Sequence, residues 1–311
     1  MISKNDNHSV DNILVISVLY NDAGRIGIFA EAMKPYCHIE HMIIDNASTD
    51  SSADVAAELF PKAHLLRQPK NIGSTGAWNI AVKWGLTADK EFFWILNPDV
   101  IVRADTLRGL LDSMYKDGDA GIVGPAVLYS DKPNIIESYG TYFNVKRGIG
   151  YHYNFQEPLD NALPAGREAD YVDGGSCLIR SAVFEKVGLF DENLFMYGEE
   201  ADLCLRAGRS GYKILVTRNA IVYHRHYELT GNRFPLPHHW YYLLRNKVYL
   251  AKKHYGTKGY GKALQQVLKS GFVTLLRQIK RGNFKFAGIY ILSILDALHL
   301  HMGKRRIGIV T

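Results

Sequence analysis

Residues 13–19 (ILVISVL) form an unbroken apolar run rich in β-branched side chains, and the run stops at the polar Tyr20-Asn21-Asp22. A strand with no alternating polar face is expected to be covered on both sides, as in a parallel sheet. The spacing then becomes helical from Arg25 to Met33 and returns to strand at residues 41–44 (HMII). There it meets Asp45-Asn46-Ala47-Ser48-Thr49-Asp50, in which Ser48 or Asp50 would cap a helix running to Phe60. A strand at residues 64–67, a helix from Gly73 to Trp84 entered through Asn71-Ile72-Gly73, and a strand at residues 91–96 continue the alternation. Strands alternating with helices over about 100 residues predict an α/β fold with a doubly wound, mostly parallel central sheet. In such sheets ligands bind beyond the carboxyl ends of the strands. Three of those ends carry acids: Asp22, Asp45 and Asp99.

From Gly121 to about Asp170 the texture shifts to short β-like pieces and Gly, Pro and Asn turns. Residues 171–216 are again patterned, with a helix expected over 199–207, a strand over 212–216 and another strand-like piece over 220–223. The C-terminal part mixes apolar and cationic residues at helical spacing. The net charge of +6 conceals its asymmetry: residues 243–311 hold 14 Lys and Arg against one acid, Asp296, so residues 1–242 carry 23 bases and 30 acids. The predicted organisation is therefore a body over 1–242, with halves at about 13–120 and 121–242, followed by a basic, mostly helical extension over 243–311.

The polar start MISKNDNHSVDN lacks a signal-peptide core and predicts a protein that stays in the cytoplasm. The most apolar late segment, 286–300, contains Asp296 and His299 and is shorter than the roughly 20 residues of a membrane span. Cys37, Cys177 and Cys204 show neither a disulfide framework nor zinc spacing. They read as inert thiols in a reducing compartment.

Asn97-Pro98-Asp99 interrupts a buried strand, and Pro98 bars continuation of the ladder. Taken alone it is an ordinary turn. Its side-chain oxygens also suit Mg²⁺ or Mn²⁺, which bind carboxylate, carbonyl, water and phosphate. The loop from Asn71 through Gly73 to Gly76 opens a helix whose amides would meet an anion, though it matches neither a dinucleotide fingerprint nor a P-loop. Glu199, Glu200 and Asp202 crowd a helix start, where acids complement the dipole. One of them would serve as a general base if its neighbour raised its pKa. His224 and His226 alternate on a strand, so only one of them would face the site.

In order and spacing, ISVLYN (16–21), IIDNASTD (43–50), NIGSTGAWNIAV (71–82), WILNPDV (94–100), VDGGSCLIRSAVFEKVGLFDENLFMYGEEADLCLRAGRSGYK (172–213) and VYHRH (222–226) resemble the family 2 glycosyltransferases with a GT-A fold, particularly the bacterial rhamnosyltransferase-like branch. The resemblance spans residues 13–226 and implies a nucleotide-sugar donor, a dTDP- or UDP-sugar, bound over the first half of the sheet. Tyr20 and Asp45 would contact base or ribose, with Asn71, Gly73 and Gly76 lining the nucleotide pocket. Asn97 and Asp99 hold the family's D-x-D position, with Asp99 as metal ligand and His224 as a second. Asp173, Gly174 and Gly175 would lie near the acceptor and the donor sugar. Glu199-Glu200 falls on the family's Glu-Asp motif, whose second acid is the usual base. Glu in place of that Asp reaches one methylene further, which leaves both Glu199 and Glu200 as candidates.

The activity implied is inverting, metal-dependent transfer of a sugar, rhamnose from dTDP-rhamnose as the leading donor, to a saccharide acceptor in cell-surface polysaccharide assembly. The family's acceptors are commonly lipid-linked, and the basic extension suits an anionic membrane surface at the cytoplasmic face of the inner membrane. No nucleic-acid recognition motif accompanies it; a packing tail or a homo-oligomer contact is the alternative use. Two competing readings are a sugar nucleotidyltransferase, against which stands the lack of a Gly- and Arg/Lys-rich triphosphate loop near the first strand, and a noncatalytic saccharide-binding or membrane-scaffolding protein.

Overall fold

The computed structural model describes residues 10–144, 149–160, 162–173, 175–225 and 237–305. Strand β1 (Ile13–Leu19) lies between β2 (Glu40–Asp45) and β4 (Phe92–Leu96), with β3 (His64–Arg67) outside β2, all four parallel. Helices α1 (Ala23–Met33), α2 (Ser52–Leu59) and α3 (Gly73–Thr87) make the crossovers. The unbroken apolar runs are explained by cover on both faces. Leu14 and Ile16 pack with Ala77, Trp78, Ala81 and Val82 of α3. Ile13 and Val15 pack with Phe29 and Met33 of α1 and with Leu107, Leu110 and Met114 of α4 (Thr106–Lys116). The parallel order β3-β2-β1-β4 brings the polar ends of β1, β2 and β4 to one edge.

Beyond β4 the sheet is mixed. Strand β11 (Ser176–Arg180) runs antiparallel to both β4 and β6 (Ala120–Tyr129), and β6 pairs in parallel with β12 (Lys213–His224). Strands β5 (Val100–Val102) and β10 (Gly166–Glu168) join β12 antiparallel, β7 (Ile136–Ser138) joins β6, and β8 (Thr141–Asn144) pairs with β9 (Ile149–His152) as a separate ribbon. The strand pieces expected at 212–216 and 220–223 are one strand, because an irregularity between Thr217 and Ile221 lets β12 continue along β6. That continuation matters for the site: it carries His224 into register with Val100, the residue after Asp99.

Neither expected residue is the N-cap of α2, which is Ser51; Asp50, one residue earlier, accepts from Ser52 N at Oδ1 (3.0 Å). Ser48 instead accepts from Asn21 N, tying the β1 and β2 ends together. Helices α5 (Ser181–Val187) and α6 (Glu199–Arg209) flank the segment that leads to the acid pair. The C-terminal region is helical: α7 (Pro237–Lys280) breaks at Gly256 (φ 64°, ψ −155°), and α8 (Phe284–His299) touches both arms. Tyr290 Oη donates to Val267 O on one arm, while Tyr241 Oη on the other donates to Asp296 Oδ2. Among the described residues, no helix is long and apolar enough to cross a membrane. Cys37 is exposed, and Cys177 and Cys204 are buried thiols.

Candidate active site

Asn97-Pro98-Asp99 is a tight turn with Pro98 at its second position, closed by Val100 N donating to Asn97 O at 3.2 Å. It is pinned on both sides, by Asn97 N to Gly175 O (3.0 Å) and by Arg225 N to Asp99 O (3.0 Å). Gly175 packs closely here: a Cβ would stand 3.1 Å from Val100 Cγ2, which would have to shift by a few tenths of an ångström. Asp99 Oδ2 faces His224 Nε2 at 3.5 Å, and His224 Nδ1 meets Glu137 Oε2 at 2.9 Å. Burial opposes a charge on this imidazole, but the Asp99 and Glu137 carboxylates outweigh it and push His224 up to about 10.

The donor set suits a divalent cation only in part. A 3.5 Å gap is long for a hydrogen bond and short enough for two neighbouring ligands of one ion. Among the described residues no group of three His, Cys, Asp or Glu is arranged to hold a metal, so Asp99 and His224 would need phosphate and water to complete the shell, as Mg²⁺ sites commonly do.

The second pole lies at the start of α6. Glu199 is buried; its Oε1 accepts from Ser74 Oγ at 2.5 Å, and its Oε2 is buried without a partner. Burial, opposed by the Ser74 bond, pushes Glu199 up to about 7. Glu200 is half-buried. Burial, then the charge of Glu199, and that of Asp173 raise it well above the usual carboxylate range. The two poles lie within electrostatic reach of each other. The Tyr197 phenol, raised first by burial, feels Glu199, Asp99 and Glu200 together. Asp173 sits between the poles, accepting from Ser138 Oγ and lying 3.7 Å from His152 Nδ1. Burial raises it, with the charges of Glu137, His152 and His224 acting on it in turn.

The third pole holds the strand ends. Asp45 is buried; Oδ2 accepts from Ser48 N at 3.3 Å while Oδ1 is buried with no hydrogen-bond partner, an acceptor suited to an imide N–H or a ribose hydroxyl. The adjacent Asn46 bridges to the Asn71–Gly76 loop, accepting from Ile72 N (2.9 Å) and donating to Gly73 O (3.1 Å). Asn71 Oδ1 accepts from Gly73 N at 2.9 Å. Gly73 has φ 79°, and a Cβ there would meet Phe195 O at 2.1 Å, so both backbone conformation and space demand glycine. Gly76 is tight against Ile72. Tyr20 is 42% exposed, and Asn46 N donating to Leu19 O holds it beside Asp45 and Asn46.

Asp99, His224, Asp173, Glu199 and Glu200 thus converge, with Asp45 and the Asn71–Gly76 loop joined to them through Ser74. Asp22 is structural: it accepts from Tyr20 N (2.8 Å) and pairs with Arg25 (2.9 Å). Gly174 and His226 lie outside the described residues. Glu137 was missed by sequence reasoning: it sits in a three-residue strand, 87 positions from the histidine it contacts, with no motif around it.

A profile described as Glycosyl transferase family 2 matches residues 15–188. The chain is 27% identical over 267 residues to the N-acetylglucosaminyl-diphospho-decaprenol L-rhamnosyltransferase of Mycobacterium tuberculosis, covering 79% of this chain and 86% of that protein. To the dTDP-rhamnosyl transferase RfbF of Shigella flexneri it is 23% identical over 297 residues, 92% and 95% of the two chains. Among solved structures, GalNAc-T7 with UDP, GalNAc and Mn²⁺ superimposes with a TM-score of 0.60 at 17% identity, over 79% of this chain and 48% of that one. S. aureus TarS 1-349 in complex with UDP-GlcNAc gives 0.54 at 16% identity, over 92% and 81%. At such identities these two structures establish the fold, GT-A, and nothing finer.

Proposed function

The chain belongs to glycosyl transferase family 2 and is a glycosyltransferase, and from that premise we propose that it transfers rhamnose from dTDP-rhamnose, with inversion, to a lipid-linked saccharide in cell-surface polysaccharide assembly. The observation that carries the reading is a half-buried, raised-pKa Glu200 linked electrostatically through Asp173 and Tyr197 to the Asp99–His224 pole. The two rhamnosyltransferases it resembles along most of their length support the choice of donor.

Asp45 Oδ1 would accept the imide N–H of the pyrimidine, a role that answers its orphaned state. Tyr20 would cover base or ribose at the mouth, and the Asn71–Gly76 loop would present the α3 amides toward the diphosphate. Asp99 and His224 would hold Mg²⁺ or Mn²⁺, with Asn97 shaping the turn through its main chain. That ion would supply positive charge where the nucleoside diphosphate leaves. His224 would surrender its proton to serve as a ligand. Glu200 would take the proton of the acceptor hydroxyl as it attacks the anomeric carbon from the face opposite the departing diphosphate. Asp173 and Gly175 would line the place where donor sugar and acceptor meet, and Glu199, tied to Ser74, would raise the basicity of the Glu200 carboxylate, which takes the proton in its ionised form.

An anionic membrane surface at the cytoplasmic face is the proposed partner of the helical hairpin. Phe272, Val273, Leu276 and Phe284 are exposed on it, among Arg277, Lys280, Arg281 and Lys285, and an apolar groove runs between Leu268, Phe272, Ile291 and Leu295. Cationic and apolar groups together favour a lipid surface carrying negative headgroups.

Turnover of dTDP-rhamnose with a lipid-linked acceptor and Mg²⁺ or Mn²⁺, with product configuration read by NMR, tests the reading. Retention of configuration sinks the mechanism; preference for a UDP-hexose rejects the donor alone. Co-sedimentation with anionic but not zwitterionic vesicles is expected, and binding to neither removes the membrane partner.

A further inference from the structure

The segment between α5 and α6 ends at the acid pair and has an unusual backbone. Phe195 (φ 65°) and Tyr197 (φ 68°) both occupy the left-handed region, which bulky side chains rarely adopt without outside support. The support comes from the first arm of α7. Arg245 and Asn246 are 0% and 1% exposed, although each is polar. The two N–H groups of Asn246 Nδ2 are shared among three carbonyls of the segment, Leu194 (3.0 Å), Met196 (2.8 Å) and Tyr197 (2.8 Å). Arg245 Nε donates to Asn246 Oδ1 (2.9 Å) and fixes which way that amide faces. Its Nη2 donates to Leu194 O (3.0 Å) and its Nη1 to Gly303 O (2.7 Å). Gly303 N closes the ring on Asn193 O at 2.7 Å. The ring of Tyr242 stacks on Phe195 at 5.1 Å, and the Arg245 guanidinium lies over Tyr242 at 4.9 Å.

The far side of the segment is the donor loop: Phe195 O accepts from Ser74 Oγ (3.3 Å) and Thr75 Oγ1 (3.4 Å), and it occupies the space a Cβ on Gly73 would need. Buried carbonyls that lose a donor make such a clamp costly to remove.

We propose that Arg245 and Asn246 are positioning residues: by clamping residues 193–197 they set where Glu199 and Glu200 stand relative to the donor loop, so the C-terminal helices are part of the catalytic apparatus. The basic extension then has two functions on one helix, with its first arm facing inward to the acids and its second carrying the exposed apolar surface. The inference rests on Glu200 being the base.

The test is the kcat–pH profile of Asn246→Ser and Arg245→Lys. The second variant keeps the charge and the ring contacts but lacks the planar fork. The groups facing the acid pair are Tyr197, Asp173 and Tyr171 from the preceding segments, Cys177 from β11, and Cys204 from α6 itself, so burial and acids dominate. Loosening the clamp admits water and moves the acidic limb to lower pH, by about one unit, while kcat at neutral pH falls about 10²-fold. Folded variants with the parental limb and kcat overturn the proposal. Hydrogen exchange on the unaltered protein adds a test that needs no variant: the amides of Leu194 and Met196, which donate to Asp191 O and Leu194 O, are expected to exchange with the same protection as 241–250. Fast exchange of the segment alone also overturns it. Full turnover by Glu200→Gln sinks the base assignment instead, whereas a dead Glu200→Gln beside a parental Asn246→Ser sinks only the clamp.

Discussion

Glu200 and Asp202 stand two residues apart in the first turn of α6 and reach opposite electrostatic states. Both sit near the positive end of the same helix, so the dipole does not separate them. The helix turns them about 200° apart, toward different neighbours. Asp202 is fully buried against two cations, Arg206 Nε at 2.8 Å and Lys253 Nζ at 2.7 Å, and against the His254 ring at Nε2, 2.8 Å away. Burial would raise it, but these partners outweigh burial and hold the carboxyl far below its usual range. Glu200 meets burial, Glu199 and Asp173, all of which raise it. One carboxylate is therefore a fastener between α6 and α7, and the other has the raised pKa that the proposed base requires. Proximity to a helix start is uninformative until the facing elements are known.

The sharpest way to break this comparison is to remove each acid's charge without changing its size. Glu200→Gln is expected to lower kcat by about 10³-fold or more, within reach of general-base effects, with donor binding retained in a thermal-shift titration. Undiminished turnover would transfer the role to Glu199. Asp99→Ala is expected to weaken metal-dependent donor binding by about 10²-fold, read as the loss of the Mg²⁺- or Mn²⁺-dependent part of donor affinity; unchanged affinity removes Asp99 from the metal site. Asp202→Asn should instead act on folding. Leaving Lys253, His254 and Arg206 without their shared carboxylate costs up to about 3 kcal/mol in denaturant unfolding, with kcat of the folded enzyme falling far less than in Glu200→Gln. Equal effects on kcat would mean that the two acids are not functionally distinct.

Legibility in the sequence followed locality. The four parallel strands and their polar ends were readable because each is a short continuous pattern covered by helices that are its neighbours in sequence. Asp99, Asp45 and the Asn71–Gly76 loop sit at those ends, and their placement needs no distant partner to be guessed. Glu137 lacked any such signal, because β7 has three residues and meets His224 only after β6 and β12 pair. The single β12 was hidden by its irregularity, where Asn219 interrupts the apolar pattern. Arg245 and Asn246 read as part of a solvated basic tail; only the fold reveals three backbone carbonyls waiting for Asn246. The two fates of the α6 acids were unreadable for the same reason, since Lys253 and His254 come from a helix about 50 residues later.

The smallest expected effect is a pair of opposite pH slopes in stability. For the Glu199–Glu200 pair the folded pKa lies above the ordinary 4.5, with Glu199 at about 7. Its contribution is therefore fully present below about pH 4.5 and is lost as pH rises through the folded value. Glu200→Gln escapes that loss, so its Tm relative to the parent should rise between about pH 5 and pH 8, by about 2–4 °C for each kcal/mol relieved. Asp202 has the reverse sign: its folded pKa lies below the ordinary 3.8, so its contribution is present above that value and is lost as pH falls through the folded one. The deficit of Asp202→Asn should accordingly be largest near neutrality and shrink in acid. Parallel slopes for the two variants, measured by calorimetry across that range, would show that both carboxylates respond to a common property of the α6 N-terminus rather than to the different groups that face them. Opposite slopes would locate the difference in Lys253 and His254 on one side and in Glu199 and Asp173 on the other.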